Sequence, residues 1–351
     1  MDTLTHALSA MLTARASQPK VTKPGQLSLI ARSWTGFFAG AFPDSDFIVM
    51  LFGTDSYLKY HRGITHSMLL LPLWALLLAW LFSVLSRGRY SWRAFYMTCL
   101  LGIFIHIFGD VITNYGTMVF APFSDYKLSF STTFIIDWYF SGIIVLGLIS
   151  SFISKQYKRH FALAGFSMLM CYVLAQAWWQ RMAREDAYAT LPGQILKTGK
   201  VHVLPQPVSP FNWKIIAETP DRYYVRYLNL FRHTAKTSRA TENIFQRADA
   251  LYLPRNEVNW EVIPRFGVGP VQVMARRIWQ EPAMHDIRHF MQFPAVQRTD
   301  YLTGYTCVWF ADQRFVLRNL RSPFMFGGCE SKDGKQRKIM RLVDDKPEPL
   351  K

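Results

Sequence analysis

The apolar residues of this chain are concentrated in its first half, in four runs of about twenty residues each. The runs cover residues 66–86, 92–110, 134–154 and 161–179, and charged side chains are nearly absent from them. A helix of about 20 apolar residues crosses the hydrocarbon core of a bilayer. A weaker run at 34–52 is interrupted by a proline and two aspartates. The pattern predicts an α-helical, multi-pass membrane domain of four to five spans over the first 180 residues, 1–180.

The second half has a different pattern. Short runs rich in β-branched and aromatic residues alternate with turn residues, as is typical of strands. Strands are predicted at residues 201–204, 213–218, 223–231, 271–279, 303–310 and 337–343, and a helix at 281–293. Prolines are frequent and long helical periodicities are few. We therefore expect residues 181–351 to form a separate, soluble β-rich domain of the α+β or all-β class.

Length and composition agree with a chain of two parts. At 351 residues the sequence exceeds one ordinary domain, and its hydrophobic content of 50% excludes a disordered protein. Four cysteines are too few for a disulfide scaffold, although Cys307 and Cys329 could pair in an oxidising compartment. No nucleic-acid recognition motif accompanies the net charge of +16, so we expect no nucleic-acid partner.

Basic residues in the short loops predict how the spans are oriented. Segments 14–33, 87–93 and 155–160 contain ten Lys and Arg residues, whereas segments 53–65 and 111–133 contain three. Because cytoplasmic loops carry the basic excess, we expect the first set inside the cell and the second set outside. The last span then places the second domain outside the cytoplasm.

The N-terminal stretch DTLTHALSA carries a histidine, His6, ahead of the basic segment 14–33. It lacks the basic region and long apolar stretch of a cleavable signal peptide, which is therefore not expected. His6 can reach the outer face of the membrane in two ways. Either this stretch dips into the helix bundle, or the N-terminal segment lies on the other side of the membrane.

Ionisable residues lie at the outward-facing ends of three predicted spans. His61 and His66 precede the first long span, His106 and Asp110 end the second, and Asp137 begins the third. Ionisable side chains within membrane segments are costly and usually mark functional sites. We therefore expect these residues to meet at one face of the membrane.

Two local patterns contain candidate metal ligands. His106 and Asp110 are four residues apart, so on a helix they share one face and either chelate a cation or form a hydrogen-bonded packing pair. Asp44 and Asp46, in FPDSDF, either offer oxygens to a hard or borderline cation or form an ordinary turn. Asp137 is a ligand, a partner of a ligating histidine, or a helix-packing group.

The segment HRGITHS combines two histidines, an arginine and two hydroxyl residues. If His61 lies on a loop and His66 in a first helical turn, both can reach a common site. Gly63 would give the loop its conformational freedom, and Thr65 would cap the helix. Arg62 is a candidate for holding an anionic group such as a phosphate.

The combined set is larger than one zinc ion requires. The candidate metal ligands are His6, Asp44, Asp46, His61, His66, His106 and Asp110. They fit a two-metal site, or one metal with further carboxylates around it, and the expected divalent metal is zinc, with manganese as the alternative. The candidate catalytic groups are Arg62, Asp46 and Asp137.

Four motifs follow one another across about the first 125 residues: DTLTHALSA, PDSD, HRGITHS and HIFGDVITNYG. Together they resemble the YdjM-like family of membrane-bound, metal-dependent hydrolases. That family shows an N-terminal histidine, PD-x-D, HRG-x-THS and H-x-x-x-D-x-x-T-x-x-G. The resemblance implies a multi-pass protein of the bacterial inner membrane with hydrolase activity. It also implies that the seven candidate ligands are ligating or catalytic groups.

We therefore expect a hydrolase in which a metal activates water against an ester or phosphoester, including one carried by a lipid, near the outer face of the inner membrane. Residues 181–351 contain 27 basic and 17 acidic residues, which favours anionic lipids as partners besides the bilayer itself. The alternative is a non-enzymatic metal-binding membrane protein, namely a sensor, a transporter or a scaffold.

Overall fold

The computed structural model describes residues 1–20, 23–239, 241–318, 322 and 324–350. Contacts between residues divide the chain into two compact units. The helical unit comprises Met1–Ile48, Arg62–Arg181 and Pro205–Pro210. The sheet unit comprises Val49–His61, Met182–Leu204 and Phe211–Lys351.

Helices dominate the first half of the chain. They are α1 (Thr3–Ala16), α2 (Leu29–Ala41), α3 (Thr54–Tyr60), α4 (Leu71–Leu85), α5 (Trp92–Val111), α6 (Trp138–Ile153) and α7 (Lys158–Thr190). Two 3-10 segments, Phe42–Phe52 and Ile64–His66, follow α2 and precede α4. Helix α3 and the end of α7 after Arg181 group with the sheet unit, and the other helices with the helical unit.

Helix α1 is buried among the other helices of its unit and packs against α2 and α5. Asp2 caps its start by accepting hydrogen bonds from the backbone N–H and the hydroxyl of Thr5, at 2.9 and 2.6 Å. Most residues of α1 are buried, including His6. The N-terminal stretch therefore dips into the bundle, which was the first of the two alternatives for His6.

Small residues let α1 and α2 approach each other closely. Gly36 and Gly40 lie four positions apart on the contact face of α2. Opposite them in α1 lie Ala14 and Ala10, which are also four apart. A Cβ atom added to Gly36 would lie only 2.6 Å from the Ala14 Cβ atom. This small-residue contact is the packing by which helices associate in a bilayer, and a larger side chain would separate them.

Arg15 holds the far end of α1. Its buried guanidinium group donates to the hydroxyl of Ser33 in α2, and to the hydroxyl and carbonyl oxygen of Ser151 in α6. The group also lies 3.9 Å from the ring centroid of Phe152. Buried polar groups persist when their hydrogen bonds are satisfied, so Arg15 fixes three helices together at this end.

Two described helices, α5 and α7, are long and apolar enough to cross a bilayer. A third span results if the pair Ser56–His66 and Leu71–Leu85, bent by 79°, crosses as one broken segment. The prediction of four to five spans is not confirmed. The run at 134–154 gives only the 16-residue helix α6, because Asp137 caps its N-terminus. The run at 34–52 is divided between α2 and a 3-10 segment.

The sheet unit contains two sheets. Their strands are β1 (Lys200–Pro205), β2 (Asn212–Glu218), β3 (Arg222–Asn229), β4 (Glu261–Pro264), β5 (Pro294–Leu302), β6 (Tyr305–Asp312), β7 (Met325–Ser331), β8 (Arg337–Val343) and β9 (Lys346–Pro349). The order is β1-β2-β3-β4 in one sheet and β5-β6-β7-β8-β9 in the other. The ladders from β2 to β4 and from β5 to β9 are antiparallel, which confirms the predicted β-rich region.

Besides α3 and the end of α7, four more described helices belong to this unit: α8 (Gly193–Thr198), α9 (Ile244–Ala250), α10 (Pro270–Gln280) and α11 (His285–Phe290). The last lies within the helix predicted at 281–293. A buried lysine, Lys214, joins strand β2 to the segment that follows β6. Its Nζ atom donates to the carbonyl oxygens of Gln313 and Val316, at 2.7 and 2.8 Å. Burial lowers the pKa of Lys214 to about 7.

Five of the six predicted strands are found, as β1, β2, β3, β6 and β8. The strand predicted at 271–279 is wrong, because these residues form α10. Val271 and Val273 alternate with polar residues, which favours a strand locally. Met274 and Ile278, however, are buried at helical spacing on one face. Burial of that face against the sheet decides the conformation, as tertiary packing often overrides local propensity.

A disulfide bond joins β6 and β7. Cys307 and Cys329 are direct partners in the antiparallel ladder, with their Cα atoms 3.9 Å apart. Both residues are buried beside Trp309 and Met325. The pairing that the sequence left open is therefore present in the structure.

We expect Gly36→Ile to destabilise the helical unit by about 1–3 kcal/mol, because the new side chain must force α1 and α2 apart. The matched control is Gly142→Ile in α6, since no described atom lies within 4 Å of its Cβ position. Thermal unfolding of both variants in detergent measures the difference. Equal unfolding temperatures would contradict the close packing of α1 and α2.

Candidate metal centre

Helix α5 presents two ionisable side chains on one face, as their spacing predicts. His106 and Asp110 are both fully buried. The Nδ1 atom of His106 lies 2.6 Å from the carbonyl oxygen of Gly40. A carbonyl oxygen can only accept, so Nδ1 carries the proton. The Nε2 atom of the neutral ring is then left with a free lone pair, which is the tautomer that binds a metal.

His66 is supplied by the 3-10 segment Ile64–His66 and is also fully buried. Its Nδ1 atom lies 3.0 Å from the hydroxyl oxygen of Thr65 and 3.5 Å from Oδ2 of Asp46. Both oxygens can accept a hydrogen bond from Nδ1, so Nε2 is the ring nitrogen without a proton. The Nε2 atoms of His66 and His106 face each other at 3.0 Å.

Two carboxylate oxygens complete a group of four potential ligands. Oδ1 of Asp44 lies 3.6 Å from His66 Nε2 and 3.4 Å from His106 Nε2. Oδ2 of Asp110 lies 3.3 Å from His66 Nε2 and 3.6 Å from His106 Nε2. One ligand atom from each of the four residues falls within 4.8 Å of the other three.

Five of the six spacings among these four atoms match a single tetrahedral ion, and the sixth lies within 4.8 Å. Ligands about 2.0–2.1 Å from a zinc ion are separated by about 3.3–3.4 Å along each edge of the tetrahedron. The five distances given above run from 3.0 to 3.6 Å. In addition, Oδ2 of Asp110 is buried and has no hydrogen-bond partner among the described residues. A buried carboxylate oxygen without a partner is costly, and a cation between these four atoms would satisfy it.

The other oxygen of Asp110, Oδ1, contacts residues that do not belong to the four-ligand group. Oδ1 lies 2.8 Å from Nη2 of Arg62, 3.0 Å from Nε2 of His6 and 2.6 Å from the amino nitrogen of Met1. The His6 ring stacks on that of His106, with centroids 3.8 Å apart. His6 therefore contacts two members of the four-ligand group without being one of them.

Arg62 is buried beside the group, and its own backbone has a left-handed conformation with φ 61°. Besides Asp110, its guanidinium group contacts the hydroxyl of Thr113 at 3.1 Å and lies 4.6 Å from the ring centroid of Tyr115. Its backbone N–H donates to Oδ2 of Asp46 at 2.9 Å. These contacts position the carboxylates of Asp46 and Asp110. The phosphate-holding role of Arg62 stays a prediction.

Asp46 and His61 lie outside the group of four. Asp46 contacts Arg62 and the Nδ1 side of His66, which fits the predicted alternative of one metal surrounded by further carboxylates. His61 ends α3, in a segment that groups with the sheet unit, and its ring stacks on Tyr57 at 4.5 Å. A ligand role for His61 stays a prediction.

Asp137 makes the contacts of a helix-packing group, one of the three roles considered for it. Its Oδ1 atom accepts the backbone N–H groups of Tyr139 and Phe140 at the start of α6. Its Oδ2 atom accepts from the hydroxyl of Tyr172 at 2.8 Å and from Nε2 of Gln176 at 2.7 Å. The side chain thus joins α6 to α7. Its catalytic role stays a prediction.

Sequence reasoning missed Gly40 and Thr113. The Gly40 carbonyl fixes the His106 tautomer, and Thr113 orients Arg62. A signal for Gly40 was present, because GFFAG places small residues four apart in a membrane segment. Thr113 lies in the motif HIFGDVITNYG, one turn beyond Asp110.

We expect the purified protein to contain about one divalent ion per chain, and His66→Ala and Asp44→Asn to lower that content about tenfold or more. Each variant removes one of four ligand atoms. Metal mass spectrometry after detergent purification measures the content. Loss of the ion in His61→Ala would add His61 to the ligands. The exposed His160, changed to Ala, controls for loss of a histidine. Retention of metal in both ligand variants would contradict the four-ligand assignment.

Comparisons with known proteins agree with the family inferred from the motifs. A family model described as YdjM inner membrane protein matches residues 1–183. The chain is also 23% identical over 197 residues to an uncharacterized protein, YfhP, of Bacillus subtilis (strain 168). That match covers 52% of this chain, and the chain spans about half, 54%, of the relative. No solved structure matches the chain. Because the family model covers more than half of its length, the chain belongs to the family of YdjM inner membrane proteins.

Proposed function

We propose that this protein is a metal-dependent hydrolase of the bacterial inner membrane that cleaves an ester or phosphoester bond. The observation that carries the proposal is the buried group of Asp44, His66, His106 and Asp110, with spacings that fit one ion. Two imidazole nitrogens and two carboxylate oxygens are ligands that zinc accepts, and manganese is the alternative. When bound, such an ion lowers the pKa of water and polarises the bond to be cleaved.

The surrounding residues hold the ligands in position. The Gly40 carbonyl and the Asp46 carboxylate contact the Nδ1 atoms of His106 and His66, so Nε2 is the atom of each ring that would bind the ion. Arg62 and His6 contact one oxygen of Asp110 and direct the other to the ion. Ligands held this firmly fix the reacting groups in place before substrate binds.

Asp44 is the entry point for water or substrate. Its side chain is 12% exposed, whereas those of the other three ligands are fully buried. The second oxygen of Asp44 accepts a hydrogen bond from the hydroxyl of Thr3 at 2.6 Å. A catalytic zinc site needs one position open to water, and a carboxylate at the exposed edge can yield that position.

A second candidate function is a non-enzymatic metal-binding membrane protein. One observation favours it: four protein ligands form a closed set, as in structural zinc sites. In that case the ion locks α5 to the 3-10 segments that follow α2 and precede α4, and its removal unfolds the helical unit without abolishing any reaction.

Measuring hydrolysis distinguishes the metal-dependent hydrolase from the non-enzymatic metal-binding protein. We expect the zinc-loaded protein in detergent to hydrolyse one of a set of chromogenic esters and phosphoesters, and His66→Ala to lower the rate more than about 100-fold. His160→Ala should keep the rate. A wild-type protein with stoichiometric metal and no turnover across the set would refute the hydrolase and leave the structural metal site.

The sheet unit is proposed to lie outside the cytoplasm. The basic loops 14–33, 87–93 and 155–160 support this orientation, and so does the disulfide between Cys307 and Cys329. Disulfides persist in the periplasm and are reduced in the cytosol.

The oxidation state of Cys307 and Cys329 in living cells tests this orientation. In a Cys99→Ser, Cys171→Ser background, we expect Cys307 and Cys329 to resist alkylation unless reductant is added first. In cells that lack periplasmic disulfide formation, both should become alkylated. Mass-tag alkylation followed by gel electrophoresis measures the number of free thiols. Two free thiols in normal cells would place the sheet unit in the cytoplasm.

A further inference from the structure

The first turn of α1 contacts both carboxylates of the four-ligand group. The hydroxyl of Thr3 donates to Oδ2 of Asp44 at 2.6 Å, and Nε2 of His6 lies 3.0 Å from Oδ1 of Asp110. Thr3 and His6 are three residues apart on the helix, so they share one face. One turn of α1 therefore contacts, in each carboxylate, the oxygen that does not belong to the four-ligand group.

The two carboxylates are held with unequal firmness. Asp110 is fully buried, and its Oδ1 atom also contacts Nη2 of Arg62 at 2.8 Å. The side chain of Asp44 is 12% exposed, and the group that donates to its Oδ2 atom is the uncharged hydroxyl of Thr3, itself an exposed residue. Asp44 is therefore the ligand whose binding mode a single hydroxyl can set.

The contacts of Asp44 give its two oxygens different roles. A carboxylate can bind a cation through one oxygen or through both. Oδ1 lies within 3.6 Å of the Nε2 atoms of His66 and His106, at the spacing of ligands on one ion. Oδ2 accepts a hydrogen bond of the short, charge-assisted kind from Thr3. Because that bond competes with an ion for Oδ2, Asp44 is left to bind through Oδ1 alone.

The binding mode of Asp44 decides whether the metal centre has room for a further ligand. Catalytic zinc sites hold four ligands and expand to five during the reaction. If both oxygens of Asp44 bound, they and the other three ligand atoms would fill five positions, and none would remain for water. If Oδ1 alone binds, a fifth position remains, and the exposed edge of the group lies at Asp44 itself.

We propose that Thr3 is a positioning residue that keeps Asp44 a one-oxygen ligand, and that its hydrogen bond thereby holds the metal centre open to water or substrate. This inference rests on the proposed function of the metal centre. Thr3 acts through Asp44 and does not contact the ion. Its hydroxyl lets a set of four protein ligands serve a hydrolase instead of a closed structural site.

The test uses the full-length protein in detergent, loaded with cobalt(II), which accepts nitrogen and oxygen ligands as zinc does and absorbs visible light. Azide is the probe of the open position, and the change in cobalt absorption gives its affinity. Thr3→Val keeps the shape of the side chain without the hydroxyl. We expect Thr3→Val to bind azide about tenfold more weakly than the wild type, because Oδ2 of Asp44 then competes for that position. Thr3→Ser restores the hydroxyl and should bind azide as the wild type does.

The matched control is Thr13→Val in the same helix, because the Thr13 hydroxyl donates to the Ser9 carbonyl and not to a ligand. It should keep the wild-type affinity for azide. Each variant should hold about one cobalt ion, since the four ligand residues are unchanged. If Thr3→Val does not hold cobalt, Thr3→Ala takes its place. Loss of cobalt from both would show that Thr3 is needed for the ion to bind at all, which would overturn the proposal.

Azide binding and hydrolysis separate this inference from the hydrolase itself. Unchanged or tighter azide binding in Thr3→Val overturns the role of Thr3, and so does a cobalt-loaded wild type whose absorption azide does not change. Thr3→Val should also lower the rate of ester hydrolysis about tenfold, and Thr3→Ser should keep it. If azide binding weakens as expected but the wild type hydrolyses nothing, the hydrolase is refuted and the positioning of Asp44 by Thr3 stands.

Discussion

The close contact of α1 with α2 is the constraint on which the metal centre depends. Gly36 and Gly40 bring the two helices together, and a Cβ atom on either would collide with α1. The same contact brings the Gly40 carbonyl to His106 and carries His6 to Asp110. Ligand atoms must stay within a few tenths of an ångström of their positions to bind an ion. A small separation of these helices would therefore disturb the site without altering any ligand.

The charges and hydrogen bonds of the cluster are compatible with the proposed divalent ion. Asp44 and Asp110 place two carboxylates against two imidazoles whose Nδ1 atoms already have acceptors. Arg62 balances one carboxylate from behind, and the inner oxygen of Asp110 has no described hydrogen-bond partner. Removing carboxylates from water costs several kcal/mol each, which a nearby cation can offset. The buried histidines and aspartates make structural sense as a group when an ion joins them.

The sequence predicts the parts of this site that depend on local spacing. His106 and Asp110 share a helix face because they are four residues apart, and the structure brings both together with His66 and Asp44. The separate roles of Asp44 and Asp46 could not be predicted, since the geometry of a 3-10 segment decides which carboxylate faces inward. The contacts of Asp137 depend on α7, which is distant in sequence.

The fold shows the same division between local and long-range effects. Five strands follow from alternation and turn residues, whereas 271–279 became a helix because one helical face packs on a sheet. Hydropathy located the apolar runs, but the predicted four to five spans are not confirmed, since two described helices, or three with the bent pair, are long and apolar enough to cross a bilayer. An apolar run is longer than its helix wherever a turn or a capping residue falls inside it. The turn at Ser67–Leu70 falls inside the run 66–86, and the cap at Asp137 falls inside the run 134–154.

The family match has a consequence for where chemistry and specificity lie in this chain. Residues 1–183 contain all four residues of the candidate ligand group and the described residues that contact them. The sheets lie beyond that match and carry the disulfide. The proposed reaction therefore depends on residues within 1–183. The sheet unit, with its excess of basic side chains, can change which anionic partners the protein meets without changing the chemistry at the ion.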